Sequence, residues 1–121
     1  KLAKKRGHQD LLIRTVGYGV QDVKPVEIAE RVRYTSTSMV LNLVNALTDG
    51  YGLQTSNNPS EANGQGGSCF GDSGGPVFYP EDSNTVVGIV SWGPNWNCVG
   101  VDFSYRTDIA DTQDFLAPFL D

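Results

Sequence analysis

The sequence predicts an all-β fold that ends in a single helix. Short runs rich in valine, isoleucine, threonine and aromatic residues recur along the chain, separated by clusters of Gly, Pro, Asn, Asp and Ser. Only the last segment changes to a helical period. The 121 residues include 14 glycines and 6 prolines, a turn-rich composition, and a chain of this length forms one domain able to bury a core. It shows no internal repeat, no low-complexity tract and no boundary between two domains.

The elements follow in order. Residues Lys1, Lys4, Lys5 and Arg6 form a basic opening, which is read as a solvated flank. Leu11 to Val16 is an apolar, β-rich run that should be a strand, with a bend at Gly17-Tyr18-Gly19. From Val26 to Tyr34 apolar Val26, Ile28, Val32 and Tyr34 alternate with Glu27, Arg31 and Arg33, the pattern of a half-buried strand. Ser38 to Val44 is read as a strand or a short helix. Thr48 to Ser68 is dominated by Gly, Asn, Ser, Thr and Pro and should be an exposed loop of about twenty residues, long enough to suggest a function. Pro76 to Tyr79, Thr85 to Trp92 and Val99 to Tyr105 read as three further strands. Between Asp108 and Leu120, residues Ile109, Phe115, Leu116, Phe119 and Leu120 share one helical face, with Asp111 as a start and Pro118 weakening the last turn. That face should pack against the sheet.

Charge narrows the function classes. A net charge of −5 argues against a nucleic-acid partner, because such binding rests on a basic face that neutralises phosphates. No stretch approaches the roughly 18 consecutive apolar residues of a membrane span, and the first residues lack the apolar core of a signal peptide. A soluble chain is expected. No segment has the closely spaced oxygen ligands of a calcium loop, and no metal or cofactor is expected. The two cysteines, Cys69 and Cys98, have no metal-ligand spacing and are read as one disulfide, the alternative being two buried thiols. A disulfide places the protein in an oxidising compartment, and secretion follows as the expectation.

The chemistry concentrates in Gly67-Ser68-Cys69-Phe70-Gly71-Asp72-Ser73-Gly74-Gly75-Pro76. A serine among glycines is how a backbone exposes a hydroxyl beside free amides, and fixed N–H donors aimed at a developing oxyanion are worth roughly 3 to 4 kcal/mol each by deletion. The same residues satisfy the Gly-x-Ser-x-Gly elbow of α/β-hydrolases, which would make the protein an esterase-type enzyme. That elbow needs a helix directly after the serine and a downstream histidine. Here Pro76-Val77-Phe78-Tyr79 looks like a strand, and no histidine follows His8.

Gly71 to Pro76 matches at all six positions the Gly-Asp-Ser-Gly-Gly-Pro signature of the chymotrypsin and trypsin family of serine proteases, and the chain resembles that family over nearly its whole length. Gly17-Tyr18-Gly19 is similar to the family's Gly-Trp-Gly, and Ser91-Trp92-Gly93 to its substrate-binding strand. The resemblance implies a six-stranded antiparallel Greek-key β-barrel over residues 11–107, the second of two in the enzyme, with a helix over 108–121 and a linker end over 1–10. It implies that Ser73 is the nucleophile, and that the amides of Gly71 and Ser73 form the oxyanion hole. Asp72 would hold that hole in shape by pairing with a new amino terminus after activation. Ser91 would support the triad aspartate, and Ser91, Trp92 and Gly93 would pair with a polypeptide substrate. Cys69 and Cys98 fall where the family has a disulfide.

Gly67, Ser68, Phe70, Gly93 and Gly100 would shape the specificity pocket. With glycine at position 67 the pocket is expected to be deep and uncharged and to favour large apolar residues, whereas a carboxylate from Asp102 would favour Lys or Arg. Trp92 and Trp96 are left open between core packing and a ligand role.

The sequence departs from the family in holding no catalytic histidine or aspartate of its own. His8, in a polar stretch, reads as an ordinary surface histidine. The missing groups imply an N-terminal barrel, or a second chain covering the face meant for it, and the chain alone is expected to be inactive. Tyr18 in place of tryptophan and the single pair of cysteines point to a microbial branch. The alternative from another class is a binding module that has lost catalysis, although the retained serine argues for the enzyme.

Overall fold

The computed structural model describes residues 2, 11–44, 47–58, 64 and 66–121. Six strands, β1 (Leu12–Gly17), β2 (Tyr34–Asn42), β3 (Gly52–Ser56), β4 (Pro76–Phe78), β5 (Val86–Trp92) and β6 (Val101–Arg106), form a closed barrel. Their order around the barrel is β1-β2-β3-β6-β5-β4, and every pairing is antiparallel. A short helix α1 (Ala110–Leu116) and a 3-10 turn (Ala117–Phe119) follow.

The barrel forms because alternate residues of each strand are apolar and share one interior. Ile13 from β1, Val40 from β2, Leu53 from β3, Val77 from β4 and Val87 and Val90 from β5 make the core, with Leu2 and Leu43 beside it. Burying each such side chain contributes about 1.5–3 kcal/mol. Closure leaves no sheet edge unpaired, and the short β4 completes it by bonding to both β1 and β5. That position matters, because β4 begins directly after the Gly71 to Gly75 bend and fixes the bend to one end of the barrel.

Below β6, Arg106 and Asp108 form a buried ion pair at 2.8 Å. The Arg106 guanidinium also donates to the carbonyls of Leu43 and Leu2, and the Leu2 amide donates to Asp108 at 2.6 Å. Leu2 is thereby tied to the barrel wall, while the rest of the predicted 1–10 lead-in, His8 included, lies outside the described residues.

Four expectations need correction. Val26 to Tyr34 is not a strand: β2 starts at Tyr34 and continues through the segment that was left open between strand and helix. Residues 23–33 instead make an exposed excursion with one isolated bridge, Asp22 to Ile28, because the barrel already has its full set of partners and the alternating Val26, Ile28 and Val32 face solvent. Thr48 to Ser68 is not one loop, since β3 lies inside it between β2 and β6. Its sequence, Gly-Leu-Gln-Thr-Ser, carries little hydrophobic signal because Thr55 and Ser56 are buried as polar groups within a fully paired sheet. The terminal helix begins at Ala110, gives way to a 3-10 turn at Pro118, and does not pack on the sheet: it buries no residue, and Phe115, Phe119 and Leu120 are exposed.

Candidate active site

Ser73 sits at the tip of the glycine bend with its side chain exposed. Two anchors hold the bend against β5: the Gly74 amide donates to the Val90 carbonyl, and the Val90 amide donates to the Gly75 carbonyl, each at 2.9 Å. Gly71 has a φ of 95°, a left-handed conformation in which any other residue would be strained. The segment after the bend is extended strand β4, so the elbow of an α/β-hydrolase is excluded by the backbone itself.

The amides in this bend divide into two groups. Those of Asp72, Gly74 and Gly75 donate to backbone carbonyls. Those of Gly71 and Ser73 have no acceptor among the described residues. Two unused donors on either side of one residue, next to an exposed hydroxyl, are what an incoming oxyanion requires.

Asp72 keeps that geometry. One carboxylate oxygen accepts from the Gly19 amide at 2.8 Å and the other from the Cys69 amide at 2.9 Å. The side chain reaches Gly19 only because β1 ends in glycines; a Cβ on Gly17 would lie 1.9 Å from the Asp72 carboxylate and one on Gly19 2.5 Å from its carboxyl carbon. The Gly17-Tyr18-Gly19 signal therefore has a mechanical reason. Beside Asp72 opens a cavity of about 450 Å³ lined by Gly17, Gly19, Ser68, Cys69 and Asp72 among others.

Ser91 lies on β5 across from the nucleophile, and the Ser73 hydroxyl donates weakly to its carbonyl at 3.4 Å. The register shifts between Val90 and Trp92, so Ser91 is the extra residue of a bulge, and Ser91 and Trp92 are both exposed. Without the shift, alternation would turn one of them inward. Trp92 stacks on Phe103 with ring centroids 4.2 Å apart. The disulfide between Cys69 and Cys98 joins the nucleophile bend to the segment that follows β5, and no described cysteine is free.

Between these walls lies a second cavity, of about 230 Å³, lined by Ser68, Phe70, Ser73, Ser91, Trp92, Gly93 and Asp102 among others. The uncharged pocket expected from Gly67 is corrected here, because Asp102 is part of its lining. Asp102 is only 5% exposed. It accepts from the Ser68 amide at 2.6 Å, the Ser68 hydroxyl at 3.0 Å and the Asn57 amide group at 3.0 Å. A Cβ on Gly67 would meet Asp102 at 2.4 Å and Asn57 at 2.5 Å, so the small residue at 67 makes room for the carboxylate at 102. Burial raises the Asp102 pKa, the Ser68 and Asn57 donors pull it down, the Asp72 charge pushes it up, and the balance stays above the ordinary 3.8.

Gly93 borders the same group, its Cβ position lying 3.3 Å from the Asp102 carboxylate. Gly100 does not line this cavity; its amide donates to Asn58 and its carbonyl accepts from the Asn57 amide, each at 3.0 Å, which holds the Asn57 segment in place. Sequence reasoning missed Asn57, an asparagine inside a stretch already rich in Asn and Ser, where nothing marks it as buried. Among the described residues no cluster could hold a metal ion.

Taken together, the closed six-stranded antiparallel barrel, the exposed serine in its glycine bend and the adjoining pocket define a barrel of the trypsin-like type. A protein-family model, Trypsin, matches residues 6–115. The chain belongs to the trypsin family.

Proposed function

We propose that this chain supplies the nucleophile, oxyanion hole and specificity pocket of a secreted serine endopeptidase that cleaves polypeptides after lysine or arginine. The observation that carries the reading is the exposed Ser73 hydroxyl flanked by two amides that have no other acceptor. Family membership supports it.

In this reading the Ser73 Oγ attacks the scissile carbonyl carbon while a histidine takes its proton. The carbonyl oxygen gains negative charge and settles on the amides of Gly71 and Ser73. Collapse breaks the C–N bond, and the departing amine takes the proton from the imidazolium. Water then repeats the sequence on the acyl-enzyme and releases Ser73. The histidine and the aspartate that orients it come from an N-terminal barrel outside the described residues, and Ser91 supports that aspartate.

Asp72 holds the bend through Gly19 and Cys69, and the cavity beside it would receive a new amino terminus on activation. The extended substrate pairs with Ser91, Trp92 and Gly93 by main-chain bonds. Its side chain enters the pocket toward Asp102, a buried carboxylate bonded only to neutral donors, for which a substrate cation is the missing counter-charge.

Fluorophosphonate labelling of the full-length protein tests the assignment. Label is expected on Ser73, absent from Ser73→Ala and weak on the 121-residue chain alone; full labelling of Ser73→Ala would overturn it.

A further inference from the structure

Phe70 and Trp96 are two large apolar side chains left in solvent beside the pocket, 43% and 83% exposed. Single exposed aromatics are common and need no explanation. These two are not independent, because their rings contact each other with centroids 5.7 Å apart and a tilt of 31°.

They also come from opposite walls. Phe70 belongs to the nucleophile bend and lines the pocket, whereas Trp96 follows Pro94 and Asn95 on the wall that continues β5. The Cys69–Cys98 disulfide joins the two walls next to these residues. On the Trp96 side the turn is fixed by Asn95, whose side-chain oxygen accepts from the Asn97 amide at 3.0 Å and whose amide group donates to the Val99 carbonyl at 2.7 Å. Two aromatic rings thus bridge the pocket's walls over a covalent tie and a fixed turn, placed where a side chain must pass to reach Asp102.

Resting on the protease reading above, we propose that Phe70 and Trp96 form an aromatic rim that packs on the apolar stem of the substrate side chain entering the pocket. The rim selects for stem length, and Asp102 selects for the charge at the tip. The two determinants are physically separate. A lysine side chain carries a long hydrocarbon stem below its ammonium, so apolar contact along the stem and ionic contact at the end add without competing. Because the rim touches ground state and transition state alike, its loss falls on KM and leaves kcat.

The test compares three peptide substrates that differ only at the cleavage position, which holds lysine, norleucine or alanine, in the full-length protein and its Phe70→Ala and Trp96→Ala variants. Lysine and norleucine share the same four-carbon stem, so rim loss should lower kcat/KM for both relative to alanine by about three- to tenfold, through KM. Phe70→Tyr and Trp96→Phe should restore the preference. A lysine-to-alanine and norleucine-to-alanine ratio that stays within about twofold would overturn the rim, as would an equal fall on all three substrates. Failure of the unmodified protein to cleave any of the three, with no label on Ser73, would instead remove the protease reading and the rim with it.

Discussion

Asp102 is a buried carboxylate whose hydrogen-bond partners, Ser68 and Asn57, are all neutral. Its folded pKa lies above 3.8, chiefly through burial, so the folded chain holds this proton more tightly than the unfolded chain does. The stability it contributes is present below the unfolded value and is lost as pH rises through the folded one. An ammonium or guanidinium in the pocket reverses that penalty. Asp102→Asn should therefore lower kcat/KM for the lysine substrate relative to norleucine by at least about tenfold, since a hydrogen bond to a charged group is worth roughly 1.5–3 kcal/mol. In the unmodified protein the same ratio should rise as pH climbs through the Asp102 value, and taking a ratio cancels the titration of the catalytic histidine. A ratio flat with pH, in a protein whose Asp102→Asn variant keeps its lysine preference, would show that the carboxylate is structural only. This residue also marks the limit of reading one position at a time. Gly67 by itself suggests an empty, neutral floor, and its meaning appears only when the fold brings residue 102 against residue 67 across 35 intervening positions of chain.

At the scale of elements, the site's legibility depended on whether function and periodicity wrote the same signal. The bend from Gly71 to Pro76 was readable because its backbone demands glycine and its chemistry demands serine, and β4 followed from Pro-Val-Phe. Strand β3 was hidden because a strand with paired neighbours on both sides can bury threonine and serine, which composition assigns to loops. Val26, Ile28 and Val32 gave the opposite error, an alternating pattern with no neighbouring strand to pair. The Cys69–Cys98 bond is the element-level tie between bend and pocket wall, with a sequence separation of 29. Closing a loop of that size contributes about 3–4 kcal/mol by chain entropy. Replacing both cysteines by serine should lower the unfolding free energy by about that amount, measured as a reduced urea midpoint at unchanged slope. A midpoint equal to that of the oxidised protein would mean that the walls are held by packing alone.

The whole molecule is a closed barrel with an unfinished exterior. Helix α1 buries none of its residues, and its apolar members do not meet the sheet. Phe115 and Phe119 contact each other with centroids 5.9 Å apart, and Leu120 next to them is 60% exposed. Val26 and Val32 add to the apolar surface elsewhere. A contiguous apolar face of this kind on a folded chain marks a surface meant for a partner, and the partner that would also complete the catalytic machinery is the N-terminal barrel. Made alone, the 121-residue chain should therefore sediment as a self-associated species, and a separately supplied N-terminal barrel should dissolve that association by forming a one-to-one complex. Phe119→Glu should weaken both associations, because it would set a charge against an apolar partner surface. A chain that stays monomeric at high concentration and ignores the added barrel would show that this face is solvated in the native protein, and the source of the missing histidine would have to be sought elsewhere.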